Sequence, residues 1–269
     1  MRSSTVRVAT LTALGALLLG RSSAYAQHQA PHVKHWGYEN SAETVGPAQW
    51  GELPGDNACS VGKQQSPIGL ALTGARAATP APGPALAFDY HASKLAMINN
   101  GHTVQMNVDS GSTVSEAAAT YRLVQFHFHA PSEHTLNGKH FPLEIHLVHV
   151  NAAGAPALVV GVFVEEGSIN AALATAFDSL PKQQGDARAP AGALVDANGL
   201  LPAAAAHFAY DGSLTTPPCS EGIRWRVMGT PITMSKAQID AFRSLPHLGH
   251  TARPVQPAGG RVDLLIGAP

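Results

Sequence analysis

The sequence predicts a single, mostly β domain in which a large sheet carries a few peripheral helices. Several segments alternate apolar and polar residues with the period of two that is typical of a half-buried strand. Glycine and proline number 26 and 20 among 269 residues, and this abundance favours turns over long helices. Hydrophobic residues make up 45% of the chain, which is typical of a globular protein and excludes a wholly disordered one.

Residues 121–129 (YRLVQFHFH) and 144–151 (EIHLVHVN) alternate most clearly and predict two strands. The first strand is expected to carry Leu123, Gln125, His127 and His129 on one face, and Arg122, Val124, Phe126 and Phe128 on the other. In the second strand, one face is expected to carry Glu144, His146 and Val148, and the other Ile145, Leu147 and His149. Each strand therefore presents histidine on the same face as a carboxamide or a carboxylate.

Other segments also have strand or hairpin patterns. Residues 157–164 are continuously apolar, as in a strand buried on both faces. Residues 94–98 and 103–108 flank the turn signal Asn99-Asn100-Gly101-His102, which predicts a hairpin. Residues 223–228 form one more predicted strand.

Helix signals are weaker. Residues 169–180 are alanine-rich and follow Ser168. Ser235 and Gln238 form a capping box that predicts the start of a short helix ending near Leu245. The proline-rich residues 78–84 are expected to form an irregular loop.

The first 26 residues have the three-part pattern of a secretory signal peptide. Two arginines supply the positive start, residues 9–20 are apolar, and Ala24 and Ala26 supply the small residues before a cleavage site. The apolar run is shorter than the ~20 residues that a membrane-spanning helix needs, and no second long apolar run follows. We expect cleavage after Ala26, and we expect residues 27–269 to form one secreted domain without a membrane span.

Charge and cysteine content limit the partners and the compartment. Lysine and arginine total 17 against 18 acidic residues, for a formal net charge of −1, so no basic excess is available to bind nucleic acid. The two cysteines, Cys59 and Cys219, lie in the predicted exported domain, where an oxidising environment favours a bond between them. The alternative is two separate buried thiols.

The 14 histidines are the unusual feature of the composition, because histidine is the commonest metal ligand. His127 and His129 share one face of a strand, and His146 supplies a third nitrogen from another strand. Three histidines that leave one position open are the ligand set of a catalytic zinc ion. Gln125 and Glu144 are predicted to hold the second ring nitrogens of the histidines that follow them. The alternative is three core histidines with ordinary hydrogen bonds.

Further motifs accompany this histidine pattern in order along the chain. They are 35–38 (HWGY), 65–68 (QSPI), 99–102 (NNGH), 132–134 (SEH), 212–218 (GSLTTPP) and 253–257 (RPVQP). Together they resemble an α-class carbonic anhydrase of the bacterial, exported kind, over nearly all of residues 27–269. The resemblance implies a large, mainly antiparallel twisted sheet, a zinc ion at the base of a conical cleft, and a periplasmic location. It also implies cis peptide bonds at Ser66-Pro67 and Pro217-Pro218.

The resemblance further implies reversible hydration of carbon dioxide to bicarbonate and a proton, by attack of a zinc-bound hydroxide. One zinc ion per chain is implied, with His127, His129 and His146 as its ligands. The implied catalytic residues are Thr215, which accepts a hydrogen bond from the hydroxide, Glu133, which accepts the proton of Thr215, and His102, which shuttles the product proton.

The resemblance also implies how small molecules meet the cleft. The implied apolar wall for carbon dioxide consists of Val148, Val159, Leu214 and Trp225. The backbone N–H of Thr215 and the hydroxyl of Thr216 are implied contacts for bicarbonate and for inhibitory anions, and sulfonamides are implied inhibitors. The protein is expected to be a monomer or a homodimer.

Three positions vary among relatives. Gln105 and Ala130 leave the polar wall of the cleft unpredicted. Thr251 stands where many relatives have asparagine, in a segment that we expect to be structural and separate from the catalytic residues.

Two other classes share part of the pattern. His127, His129 and Glu133 fit the metal-ligand spacing of cupins, which would imply Mn or Fe in a dioxygenase or isomerase. However, His140 stands where that motif would end in glycine, and the motifs near Gln65 and Thr215 would be unexplained. A non-catalytic relative that serves as a binding module is the other alternative, but such proteins usually lose a zinc histidine and none is lost in this sequence.

Overall fold

The computed structural model describes residues 34–55, 58–71, 85–204, 206–259, 261 and 264–266. The predicted signal peptide, residues 1–26, and the predicted proline-rich loop, residues 78–84, lie outside the described residues. Within those described ranges, no helix is both long enough and apolar enough to cross a membrane.

Strands dominate the described part of the chain, and the helices between them are short. The strands are β1 (His35–Trp36), β2 (Thr44–Val45), β3 (Gly69–Leu70), β4 (Leu86–Asp89), β5 (Ser93–Lys94), β6 (Ala96–Asn99), β7 (Val104–Asn107), β8 (Thr113–Glu116), β9 (Ala119–His129), β10 (Thr135–Leu136), β11 (Leu143–Val150), β12 (Pro156–Glu166), β13 (Ala187–Arg188), β14 (Leu194–Val195), β15 (His207–Ser213), β16 (Glu221–Met228), β17 (Ile232–Met234) and β18 (Leu264–Ile266). The helices are α1 (Ala58–Val61), α2 (Ala174–Asp178) and α3 (Lys236–Arg243), with 3-10 turns at Pro47–Glu52, Ala171–Leu173 and Ala197–Leu200.

One large sheet organises the fold. Within the described residues it joins twelve strands, in the order β13-β6-β7-β9-β11-β12-β16-β15-β18, with β17 beside β12 and with β8 and β4 continuing from β9. Its pairs are antiparallel except at β12, which runs parallel to β16 and to β17. The prediction of a mostly β fold on a large, mainly antiparallel sheet is therefore confirmed, and the sheet is mixed at β12.

The central strands β9, β11 and β12 contain the two clearest patterns of the sequence. All eight residues of β11 are buried, and so are residues 158–164 of β12. This burial on both faces explains the continuous apolar run of β12. The antiparallel register places His146 directly opposite His127.

The predicted faces of β9 are wrong at one end. Val148 pairs with Gln125 and His149 pairs with Leu123, so Val124 is the extra residue of a β-bulge. A bulge shifts the alternation by one residue. Leu123 therefore packs in the same core as Phe126 and Phe128, whereas Val124 packs on the opposite face.

Apolar residues cover both faces of the sheet. On one face, Phe128 contacts Phe177 of α2 and Phe242 of α3 in the larger core. On the other face, Val148 and Trp225 belong to a second cluster. His127, His129 and His146 lie on that second face, which lacks helices α2 and α3.

The helix predictions are confirmed in one case and only partly met in the other. The side chain of Ser235 accepts a bond from Gln238 N, and the Gln238 side chain bonds back to Ser235, so the capping box starts α3 as predicted. Residues 169–180 are helical only over the 3-10 turn Ala171–Leu173 and the five residues of α2, and Asn170 rather than Ser168 precedes them.

Long-range links tie the loops to the sheet. Cys59 and Cys219 form a disulfide, as favoured by the sequence, with their Cα atoms 5.0 Å apart.

The cis peptide bonds implied at Ser66-Pro67 and Pro217-Pro218 are present, and Ala130-Pro131 is also cis.

The predicted hairpin is present as β6 and β7. Gly101 has a φ of 87° in its turn, a conformation that glycine adopts without steric cost. The Asn100 side chain accepts bonds from the backbone N–H groups of His102 and Thr103, both at 2.9 Å. This bonding holds the loop that carries His102.

A buried tyrosine–histidine pair lies in the helix-side half of the protein. The hydroxyl of Tyr90 and Nε2 of His149 are hydrogen-bonded at 2.8 Å. The His149 side chain is fully buried, and burial lowers the pKa of His149 to about 4. His149 is therefore neutral in the folded protein near neutral pH.

This pair predicts a pH dependence of stability. An exposed histidine in the unfolded chain has a pKa near 6.5, so below that pH the unfolded state binds the proton more readily, and the free energy of unfolding should rise with pH between about 4 and 6.5. His149→Gln removes this titration. The stability of the wild type relative to that variant should therefore increase with pH by up to roughly 3 kcal/mol across this range. Urea unfolding of both proteins at several pH values measures the difference, and a difference that is independent of pH would contradict the assignment.

Candidate metal centre

Three histidines converge on the face of the sheet that carries the second apolar cluster. His127 and His129 come from β9 and His146 comes from the paired strand β11. One ring nitrogen of each lies within 4.8 Å of the corresponding nitrogens of the other two. The structure therefore brings together the three residues that the sequence selects as metal ligands.

Each ring is oriented by a hydrogen bond at its other nitrogen. The bonds join His127 Nδ1 to Gln125 Oε1 at 2.8 Å, His129 Nδ1 to the carbonyl oxygen of Thr251 at 2.6 Å, and His146 Nε2 to Glu144 Oε1 at 2.9 Å. The nitrogens that remain to face one another are His127 Nε2, His129 Nε2 and His146 Nδ1. A partner at the outer nitrogen sets the tautomer of a metal-binding histidine, so the three rings are preset to offer lone pairs to one point.

The residues fit a zinc ion. His129 Nε2 is buried and has no hydrogen-bond partner among the described residues, which is costly unless a further group completes it. Burial lowers the pKa of all three histidines, and the value for His129 is about 4. Neutral imidazoles are the form that binds zinc, and three of them with an open fourth position suit a catalytic site.

A second cluster nearby is of a different kind. His134, Glu144 and His146 also lie close enough to share an ion, but they are hydrogen-bonded to one another. Glu144 Oε1 bonds both rings, and Glu144 Oε2 accepts from His134 N at 2.9 Å. Burial raises the pKa of Glu144, but the neighbouring His134 and His146 outweigh it and hold that pKa well below its usual value. We interpret this cluster as the support of His146.

Space for this carboxylate comes from the neighbouring strand. Gly161 of β12 stands opposite His146. A Cβ atom at that position would lie 3.0 Å from Glu144 Oε1, closer than an ordinary contact. Glycine at this strand position therefore leaves room for Glu144, in agreement with close approach as a reason for glycine inside strands.

The expectation that Thr251 lies in a purely structural segment is wrong. Its carbonyl oxygen holds the ring of His129. Two residues later, the backbone N–H of Arg253 donates to Glu133 Oε1 at 2.8 Å. The segment therefore contacts both a predicted ligand and a predicted catalytic residue, through backbone atoms that no side-chain motif reveals.

Glu133 lies against the three histidines. Its Oε2 atom is 3.6 Å from His129 Nε2 and 3.8 Å from His146 Nδ1. Burial raises the pKa of Glu133 to about 7, although His146, a hydrogen bond from Thr215 and the N–H of Arg253 oppose the rise. Glu133 and Thr215 are thus a bonded pair at the edge of the metal site.

An apolar wall stands beside the histidines. Val148, Val159 and Trp225 are buried in the second cluster, and Leu214 packs against it. Val124 also packs there, although the sequence predicted it on the opposite face. Its position depends on the bulge in β9, for which the alternation of β9 alone contains no signal. Thr216 follows Thr215, and its carbonyl oxygen accepts from Cys219 N at 2.8 Å.

His102 lies apart from the three histidines. It is half-buried, and its ring stacks on Trp36 with centroids 3.6 Å apart and an interplanar angle of 12°. Burial, followed by the neighbouring His35, lowers the pKa of His102. Across the described parts of the chain, His102 makes no ring contact or hydrogen bond with His127, His129 or His146.

Tyr38 is a residue of the site region to which the sequence assigns no role beyond its place in the motif 35–38. Its hydroxyl is buried without a hydrogen-bond partner in the described part of the chain. The Tyr38 ring lies edge-on to His129 with centroids 6.5 Å apart. Burial, and then the charge of Glu133, raises the pKa of Tyr38 well above its usual value.

Comparisons with known proteins agree on one family. Residues 45–263 match the family model described as eukaryotic-type carbonic anhydrase. A carbonic anhydrase of Pectobacterium atrosepticum is 44% identical over 232 residues, which cover 85% of this chain and 89% of that protein. A carbonic anhydrase of a Nostoc species is 40% identical over 265 residues, which cover 97% and 98% of the two chains.

Solved structures give the same result for the fold. The α-carbonic anhydrase from Thermovibrio ammonificans, in complex with the inhibitor sulfanilamide, superposes with a TM-score of 0.75 at 39% sequence identity. The match covers 86% of this chain and 98% of that one.

Proposed function

The chain belongs to the eukaryotic-type, or α-class, carbonic anhydrase family, and from this premise we propose that it hydrates carbon dioxide reversibly to bicarbonate and a proton with one zinc ion held by His127, His129 and His146. The observation that carries the proposal is the convergence of three neutral imidazoles, with the buried Nε2 of His129 left without a partner among the described residues. Zinc, when bound, lowers the pKa of its water to about 7, which is a property known from carbonic anhydrases themselves, and so supplies the nucleophile.

Glu133 and Thr215 orient the nucleophile. The N–H of Arg253 holds one carboxylate oxygen of Glu133, and the hydroxyl proton of Thr215 is directed to Glu133. With its proton committed in this way, the Thr215 oxygen can only accept a hydrogen bond from the attacking water. That bond aims an oxygen lone pair at the carbon of carbon dioxide.

The apolar wall of Val148, Val159, Leu214 and Trp225, to which we add Val124, excludes water and receives the apolar substrate. The backbone N–H of Thr215 and the hydroxyl of Thr216 contact bicarbonate before it leaves, and they contact inhibitory anions when these bind. The relative from Thermovibrio ammonificans was solved with a sulfonamide, and we propose that sulfonamides inhibit this protein too.

His102 carries the product proton to solvent. A group of pKa ~7 that gives its proton directly to water is limited to roughly 10³ per second, because the reverse step cannot exceed ~10¹⁰ per molar per second. Turnover in carbonic anhydrases reaches about 10⁶ per second. The half-buried imidazole of His102, at the turn between β6 and β7, removes this limit, because it can take up the proton and pass it to buffer.

We also propose that the protein is exported to the bacterial periplasm after loss of residues 1–26. The pattern of those residues and the disulfide between Cys59 and Cys219 support export, because disulfides persist in oxidising compartments.

His129→Ala should remove most of the zinc and of the hydration activity, because two histidines cannot complete the site. Metal analysis of the purified protein and stopped-flow hydration assays measure both. His91→Ala is the matched control, since His91 is exposed and pairs with Asp89 away from the site. A variant that keeps full zinc and full rate would contradict the ligand set, and Mn or Fe in place of zinc in the wild type would contradict the proposed metal.

Thr215→Ala should lower kcat/KM for hydration by about 10²-fold, as loss of one positioned hydrogen bond does, while the zinc content stays unchanged. Because Thr215 acts through its bond to Glu133, the double variant with Glu133→Ala should lose little more than the worse single variant. Stopped-flow assays of the three variants test the pairing. Losses that multiply would show that the two residues act independently.

His102→Ala should slow steady-state turnover in dilute buffer and leave kcat/KM for hydration nearly unchanged, because only proton export is impaired. Added imidazole should restore the rate. The assay is stopped-flow hydration over a range of buffer concentrations. Unchanged turnover in dilute buffer would assign the proton to another group, and His28 and His32, which lie outside the described residues, are the next candidates.

A further inference from the structure

A buried chain of hydrogen bonds runs from the metal centre towards the catalytic threonine. It begins at Glu144 Oε1, which lies 2.9 Å from His146 Nε2 and 2.7 Å from His134 Nδ1. His134 Nε2 is hydrogen-bonded to the hydroxyl of Tyr210 at 2.6 Å. That hydroxyl donates to Ser66 Oγ at 3.0 Å. These five residues are at most 5% exposed, so water does not compete for the bonds.

The far end of this chain holds the segment that leads to Thr215. Ser66 N donates to Ser213 Oγ at 2.9 Å, and Ser213 N donates to Ser66 Oγ at 3.0 Å. The Ser213 hydroxyl in turn donates to the carbonyl of Leu214 at 2.8 Å. Strand β15 leaves its regular register between Gly212 and Ser213, so the sheet ladder alone does not direct the residues that follow. The serine pair contributes to that direction, together with the backbone bond from Leu214 N to the carbonyl of Ser220.

We propose that Tyr210 and His134 are positioning residues, which hold Thr215 at a set place relative to the three metal-binding histidines. The inference rests on the proposed function, because it assigns a role in orienting the nucleophile. One end of this chain of hydrogen bonds is the Glu144 carboxylate, which orients His146. The other end is the pair of Ser66 and Ser213, and Ser213 precedes Thr215 by two residues. Bonds of 2.6–3.0 Å connect the two ends into one frame, as the supporting groups of a preorganised site require.

The hydroxyl of Tyr210 is the link that can be removed most cleanly. The ring stacks on Trp225, with centroids 6.2 Å apart and an interplanar angle of 8°, and the guanidinium of Arg261 lies 5.3 Å from the ring centre. These contacts do not need the hydroxyl. Tyr210→Phe should therefore keep the ring in place and break only the bonds to His134 and Ser66.

The protein contains a matched control for this substitution. Tyr90 is also a buried tyrosine whose hydroxyl is bonded to a buried histidine, His149, at 2.8 Å. That pair belongs to the helix-side core and has no bond to Glu144 or Ser66. Tyr90→Phe therefore removes a similar buried bond, with a similar effect on stability, but leaves the chain between the metal centre and Thr215 intact.

The experiment compares the zinc-loaded Tyr210→Phe and Tyr90→Phe variants with the wild type. Tyr210→Phe should lower kcat/KM for hydration about 10-fold, and it should shift the midpoint of the kcat/KM–pH profile, because the hydrogen bond that the nucleophile donates to Thr215 is weakened. Tyr90→Phe should change kcat/KM by less than about 2-fold and leave the midpoint in place.

A second readout does not depend on activity. In competition with a zinc chelator, apo-Tyr210→Phe should bind zinc about 10-fold more weakly, because Glu144 loses the rigid support of His134. The apo-Tyr90→Phe variant should bind zinc as the wild type does.

If the wild type is active but Tyr210→Phe and Tyr90→Phe have the same kcat/KM, the same pH midpoint and the same zinc affinity, this inference is overturned and the proposed function is not. A wild type that neither binds zinc nor hydrates carbon dioxide would overturn the proposed function and the inference with it. If urea unfolding shows that Tyr210→Phe does not fold, Ser66→Ala breaks the same chain one bond further from the metal centre. Its rate and pH midpoint are then compared with those of Tyr90→Phe, and equality again overturns the inference.

Discussion

The register of β9 against β11 is the constraint on which the rest of the structure depends. It places His127 opposite His146, and a slip of one residue would turn every side chain of a strand to the other face. Apolar clusters on both faces of the sheet oppose such a slip. The packing that stabilises the centre of the sheet therefore also assembles the three histidines, so the fold and the metal centre cannot vary independently.

The second constraint is the cost of burying polar groups in this sheet. Glu144 bonds two imidazoles and a backbone N–H, and Gly161 leaves space for it. Such complete pairing makes a buried polar cluster rigid. In the described part of the chain, the buried atoms near the histidines that still lack a partner include His129 Nε2 and Glu133 Oε2. They face each other at 3.6 Å, where the proposed metal and nucleophile would meet.

The local features of the fold could be predicted because each depends on a few adjacent residues. The turn at Asn100-Gly101, the capping box at Ser235 and the alternation of β11 are examples, since backbone preference and side-chain spacing determine them. The β-bulge at Val124 could not be predicted. The bulge arises because β9 has one more residue than β11 between the same two points of the ladder. This mismatch is a property of the strand pair and not of β9 alone. As a result, the predicted faces of Leu123 and Val124 are reversed.

The sequence by itself determined which side chains are available for chemistry and which face of each strand carries them, because identity and alternation are local. It indicated His127, His129 and His146, together with Gln125 and Glu144, on these grounds. Only the tertiary structure decided that the carbonyl of Thr251 orients His129 across 122 positions of the chain and that the N–H of Arg253 holds Glu133. Every residue carries these backbone groups, so their use depends on where the folded chain brings them and leaves no mark in the pattern of side chains.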